Sequence, residues 1–206
     1  MTSNDLQIET MRLYRALTAQ HSDWGGKLVL LTGPACAQSG AAPAVSIAGG
    51  TSLALDSDAA AMKAAQRSGH LDFVVNSLDE ALRALKNEVR QKRPLSVGLI
   101  ADVNATLAEI DERGIVPDLR LTPEACAHIA SGNEELFFSA TDAAALRELD
   151  AVLIAILPAD DRPRRRWLQY APQFLREART GGRWFWLSTA ELAALTQQGI
   201  TPLPRP

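Results

Sequence analysis

From Lys27 onward, short apolar runs alternate with stretches whose apolar residues recur every three or four positions. The runs are Leu28–Thr32, Ser52–Asp56, Leu71–Val75, Leu95–Ala101, Asp118–Leu121, Leu136–Ser139, Val152–Leu157 and Arg183–Leu187. Most are continuous rather than alternating, which is the pattern of parallel strands covered on both faces. The segments between them predict helices with readable ends. Ser77-Leu78-Asp79-Glu80 spells a capping box ahead of an apolar stripe of Leu78, Leu82, Leu85 and Val89. Asn104 opens a helix that stops at Gly114, Thr122-Pro123 opens one that ends at Gly132, and Thr141 and Thr189 cap two more. Before all of these, Leu6–Ala19 has partial helical spacing and predicts an amphipathic helix. The expected organisation is a helical lead-in over 1–24, an α/β domain over 25–200 and a proline-rich tail over 201–206. The repeated strand–helix order predicts a three-layer sandwich with a mostly parallel sheet and helices on both faces.

The first strand–helix–strand unit holds the densest ligand chemistry. Gly26-Lys27-Leu28-Val29-Leu30-Leu31-Thr32-Gly33 reads as a buried strand running into a turn; a small-residue stretch leads to Gly49-Gly50, and Leu53-Ala54-Leu55-Asp56 is a second strand ending in an acid. In a dinucleotide-binding unit of this form the helix N-terminus faces a pyrophosphate and the acid faces a ribose. Gly33, Ser39, Gly40 and Asp56 are therefore the candidate cofactor-binding residues. Each has a second reading: Gly33, Ser39 and Gly40 as a turn kept for packing, and Asp56 as a solvated strand end or the cap of a helix starting near Asp58.

Composition narrows the class. The 206 residues suit one domain with a sizeable core. A net charge of −3 gives no reason to expect nucleic acid or an anionic membrane as partner. No apolar run is long enough to span a bilayer, and the first residues lack a signal-peptide core. Cys36 and Cys126 are far apart and outside any C-x-x-C motif, so no disulfide framework is expected and a cytoplasmic location is.

Several segments together resemble the central domain of urocanase, the enzyme that hydrates urocanate in histidine breakdown. They are Gly26–Gly33, Ser39-Gly40-Ala41-Ala42-Pro43, Gly49-Gly50, Ser77-Leu78-Asp79-Glu80-Ala81-Leu82, Pro94-Leu95-Ser96-Val97-Gly98-Leu99 and Arg113-Gly114-Ile115-Val116-Pro117-Asp118. The resemblance implies a Rossmann-like domain holding NAD, whose nicotinamide ring serves that family as an electrophile adding to the substrate's imidazole. It also implies that the family's remaining machinery belongs to flanking regions, for which a chain of this length has no room. The turn departs from the family pattern. Gly33 and Gly40 remain, but Pro34-Ala35-Cys36-Ala37-Gln38 replaces the middle glycines and adds a residue. Pro34 also removes one N–H that an anion could use. After Asp118, Thr122-Pro123-Glu124-Ala125-Cys126-Ala127-His128 stands where the family carries Thr-Asp-Gln-Thr-Ser-Ala-His-Asp.

The resulting reading is a diverged, stand-alone urocanase-like Rossmann domain that binds NAD or another nucleotide and is not a self-sufficient hydratase. A lyase activity of the urocanate hydratase kind would need a companion chain. The alternative is an interaction or scaffold protein without cofactor, and a third option is new chemistry at Cys36 or His128. No motif pairs His70 or His128 with a carboxylate, and the histidines and cysteines do not approach a metal-ligand spacing. Arg162-Pro163-Arg164-Arg165-Arg166 opens a helix whose N-terminus disfavours positive charge. An acidic partner or neighbouring subunit would compensate for it. Trp184 and Trp186 share one face of a strand, suited to a core or, second, to an oligomer contact.

Overall fold

The computed structural model describes residues 3–33, 39–122, 134–179 and 181–203. Five parallel strands form its main sheet: β1 (Leu28–Thr32), β2 (Thr51–Asp56), β3 (Phe73–Val75), β4 (Leu95–Ile100) and β5 (Leu119–Leu121), in the order β3-β4-β2-β1-β5. β1 pairs with β2 from Leu28↔Thr51 to Thr32↔Leu55 and with β5 from Val29↔Leu119 to Leu31↔Leu121. From β1 the chain places β2, β3 and β4 on one side, with β4 between β2 and β3, and then returns to place β5 on the other. The strand order thus reverses at β1, whose C-terminal end is the place where such sheets take ligands.

Period-two alternation sorts the strand residues between two helix layers. Leu30, Leu53, Leu55, Val97 and Leu99 pack with Leu78, Ala81 and Leu85 of α4 (Leu78–Gln91) and Ile110 of α5 (Val103–Glu112). Val29, Leu31 and Ala54 face the other way, into a larger core shared with α2 (Ala41–Ala48) and α3 (Ala59–Ser68). A Cβ on Gly98 of β4 would lie 2.8 Å from both Leu71 Cδ1 and Met62 Cε, so the missing side chain makes room for α3 and the loop after it. The expected sandwich with helices on both faces is the fold observed.

The second half departs from the expected pattern. β6 (Glu134–Ser139) and β7 (Gly182–Leu187) do not extend the parallel sheet; they pair antiparallel as a separate two-stranded sheet, with Phe137 opposite Trp184. Val152–Leu157, expected as a strand, belongs to α6 (Ala143–Ile156). Its buried residues Leu146, Leu149 and Leu153 recur at helical spacing, which overrides the short continuous run. Further on come α7 (Arg162–Phe174), a short 3-10 turn (Glu177–Arg179) and α8 (Thr189–Gln197).

Several helix starts shift by a residue or two. Asp102, Asp142 and Ser188 are the N-caps, in place of Asn104, Thr141 and Thr189. Ser77 accepts the Glu80 N–H at 3.3 Å, but the Glu80 carboxylate reaches back to the N–H of Asn76 rather than Ser77. The reciprocal capping box instead joins Ser188 and Glu191. The helix expected over Thr122–Gly132 lies outside the described residues.

The N-terminal helix α1 (Ser3–Gln20) is part of the core, with Leu6, Met11, Leu13, Tyr14 and Leu17 buried. It lies across α2, every residue of which is buried, and it is tied to the second half of the chain. Gln7 Oε1 accepts the Trp184 N–H at 2.6 Å, and the Tyr14 hydroxyl donates to the Pro163 carbonyl at 2.7 Å. Arg12 forks onto Glu135 with contacts of 2.6–3.1 Å. Burial pushes the Tyr14 hydroxyl's pKa well above the usual phenol range. Trp184 and Trp186 are both buried, in line with the core reading of that strand.

Candidate functional site

The four candidate residues belong to the first β–α–β unit, at the C-terminal edge of the sheet. Gly33 follows β1 with φ +90° and donates its N–H to the Leu55 carbonyl at 3.2 Å, which bends the chain away from the strand beside the end of β2. Ser39 is buried, and its hydroxyl accepts the Ala41 N–H at 3.2 Å. Gly40 is the N-cap of α2 and so supplies no capping side chain. Pro34–Gln38, including Cys36, lie outside the described residues.

Gly40 is held by α1. A Cβ there would lie 2.2 Å from Thr10 Oγ1 and 2.6 Å from the Thr10 backbone nitrogen, so any side chain would drive α1 off α2. Burial raises the Glu9 pKa, while the Gly40 backbone and the nearby Arg12 oppose the rise.

Asp56 ends β2 at 3 % exposure. Its Oδ1 accepts the Asp58 N–H at 2.9 Å, whereas Oδ2 is buried with no hydrogen-bond partner. Asp58, not Asp56, caps α3, accepting the N–H groups of Ala60 and Ala61. A buried carboxylate oxygen without a donor is uncommon in a folded protein and calls for an explanation. A donor brought by a ligand, such as a sugar hydroxyl, is the chemistry it lacks.

The other candidates fall elsewhere. His70 sits in the loop before β3, at the edge of the sheet opposite the crevice, and its carbonyl accepts the Ser96 hydroxyl at 3.3 Å. Cys126 and His128 lie outside the described residues. Among the described residues no group of three His, Cys, Asp or Glu side chains is placed to hold a metal ion, and no helix is long and apolar enough to cross a membrane.

Arg164, Arg165 and Arg166 at the start of α7 find counter-charges and acceptors inside the chain. Arg164 forks onto Glu191 of α8 at 2.6 and 2.8 Å and reaches Asp161, the N-cap of its own helix, at 2.6 Å. Arg165 donates to the carbonyls of Leu157 and Pro158 at the end of α6, and Arg166 to that of Ile47 at the end of α2 while lying 4.6 Å from the Tyr170 ring centroid. Cations thus meet the carbonyl ends of two other helices, where helix dipoles favour them. Sequence reasoning missed both Thr10, with nothing local to connect it to Gly40, and this destination of the arginines.

A parallel sheet covered on both faces, with a β–α–β unit at its switch point and an acid closing the second strand, defines the class as Rossmann-like. Residues 8–150 match the family model of the urocanase Rossmann-like domain, and the chain belongs to the urocanase family through that domain. The match takes in most of α1 and runs to β6 and much of α6.

Proposed function

We propose that this chain is a nucleotide-binding module of the Rossmann type, with NAD as its foremost ligand. The observation that carries the reading is Asp56: buried, at the end of β2, with one carboxylate oxygen lacking a donor. Two vicinal ribose hydroxyls would supply such donors, and Gly33 beside it leaves the strand without a Cβ in the way. When bound, NAD would bring an electrophilic nicotinamide ring. This chain's residues would orient the adenosine end through Asp56. Urocanate hydration would need substrate-binding parts beyond this domain.

A second reading has its own observation. Thr10 fills the space above Gly40, so packing alone accounts for the glycine. On that reading the fold serves as a scaffold without cofactor.

Native mass spectrometry of freshly purified protein, followed by a thermal-shift titration with NAD, separates the two. A co-purifying dinucleotide, or a rise in Tm with added NAD that D56N abolishes, supports the nucleotide module. No bound dinucleotide and no response to added NAD leaves the scaffold reading.

A further inference from the structure

The N-terminal edge of the main sheet carries a cleft that the proposed nucleotide site does not use. It lies between α4 and the chain leading into β5, at the opposite end of the parallel strands from Asp56, so neither reading rests on the other. The cleft measures about 500 Å³ and is walled by Leu28, Leu82, Leu85, Val89, Ile115 and Val116. A narrower apolar recess adjoins it, sharing Leu28, Leu82 and Ile115 and reaching Leu30, Leu53 and Ile110.

The sequence of α4 explains why this wall stays uncovered. Its apolar stripe is wider than the sheet can cover: Leu78 and Leu85 are buried against the strands, whereas Leu82 and Val89 are half-buried. Val116, also in the wall, is 87 % exposed and is the most exposed large apolar side chain among the described residues. Apolar surface gathered around a concavity, unlike a single scattered side chain, marks a place where something binds.

Charge at the mouth selects what binds. Arg83 and Lys86 of α4 line the cleft, and both are exposed. Neither side chain forms an ion pair or hydrogen bond among the described residues. The charge of Arg83 acts on Asp79, but that carboxylate is already bonded by Arg113 at 2.5 Å. Asp118, the acid in the lining, is held by Lys27 at 3.3 Å and by the Leu28 N–H at 2.8 Å. The mouth therefore carries positive charge that nothing in the described chain answers.

We propose that this cleft binds a medium-chain aliphatic carboxylate, its chain against the leucine, isoleucine and valine wall and its carboxylate between Arg83 and Lys86. The wall holds no aromatic ring to stack a flat ligand, so a flexible aliphatic chain suits it best. The volume is that of a small-molecule site, whereas a folded partner needs a much broader face. Removing the chain from water supplies the affinity. The two cations, being exposed, supply selectivity for an anion more than strength.

The test is a titration of the full chain with octanoate, octanol and octylammonium, followed by methyl-resolved carbon–proton NMR, for wild type and R83Q/K86Q. Octanoate should give saturable shifts at the methyls of Leu82, Val89, Ile115 and Val116. It should bind roughly fivefold more tightly than octanol, the upper end of the worth of an exposed ion pair, with octylammonium weakest. R83Q/K86Q should bring octanoate to the octanol value and leave octanol where it was. No saturable shifts at these methyls overturns the site. Octanoate affinity equal to that of octanol or octylammonium, or unchanged by the double substitution, overturns the carboxylate assignment. Shifts of the same methyls that grow with protein concentration before any ligand is added would make the cleft a seat for a second copy of the chain, and overturn the proposal too. Should R83Q/K86Q not fold, V116D against V116N decides: weaker octanoate binding by V116D is expected, and equal binding overturns the proposal.

Discussion

Thr10 and Gly40 touch through a space in which no side chain fits: a Cβ on the glycine would lie 2.2 Å from Thr10 Oγ1 and 2.7 Å from Thr10 Cα. Because the obstructing atoms include backbone, G40A cannot be absorbed by a change of rotamer. It is expected to cost about 3 kcal/mol, at the upper end of the range for overpacking. G98A provides the comparison. There the nearest atoms are the ends of Leu71 and Met62, so the cost should be roughly 1 kcal/mol. Urea denaturation of the two variants would show the order, and equal costs would refute this account of the α1–α2 contact.

The Arg164–Glu191 fork makes stability depend on acid. Arg164 holds the Glu191 carboxyl at a pKa of about 2, below its ordinary 4.5. A depressed carboxyl stabilises the fold above its unfolded value, and that contribution is lost as pH falls from 4.5 toward 2. E191Q should therefore be less stable than wild type at pH 7, with a gap that narrows steadily below pH 4.5. A gap of the same size at pH 7 and pH 3 would contradict the assignment.

Glu135 is fully buried beneath Arg12, with Arg15 3.6 Å away. Removing the acid leaves cations facing a closed, partly apolar site, so E135A should destabilise by about 3 kcal/mol. R12A should cost less, since Arg15 remains near the acid and Arg12 is itself one-third exposed. A double-mutant cycle on Arg12 and Glu135 would measure their coupling. A coupling near zero would show that the pair is incidental to the docking of α1.

D56N tests the ribose end alone. It should weaken NAD and adenosine binding tenfold or more, the effect of losing a hydrogen bond to a charged acceptor. An unchanged affinity would mean that Asp56 serves the backbone turn at Asp58 rather than the ligand.

What the sequence made legible was local. β1, Gly33, β2 and Asp56 follow each other within about thirty residues, and their apolar runs and punctuating glycines identify a β–α–β unit without reference to anything distant. Val152–Leu157 was misread because a six-residue apolar run fits a strand and a buried helix equally well. The decisive spacing of Leu146, Leu149 and Leu153 begins before it. The β6–β7 pairing joins residues across α6 and α7, beyond the reach of any local pattern. Thr10 and Gly40 illustrate the same limit at the site: neither residue announces the other, and only the crossing of α1 over α2 brings them together. The arginine run gave a true signal, a charge in an unfavourable place, and within the chain Asp161, Glu191 and helix-end carbonyls compensate Arg164 and Arg165.

The anchoring of α1 to the far end of the chain also sets a timetable. Gln7 finds its partner in Trp184, 177 residues later, and Tyr14 finds Pro163, 149 residues later. While the chain is being synthesised, β1 to β5 can assemble with α2 to α5, but the apolar side of α1 has no complete seat until β7 has emerged. Contacts of such sequence separation are the slowest to form. A nascent or C-terminally shortened chain therefore holds α1 on α2 alone, with Tyr14 lacking the rings of Trp167 and Trp186 and the Pro163 carbonyl, and for that interval this side of the first helix is open to chaperones and to aggregation.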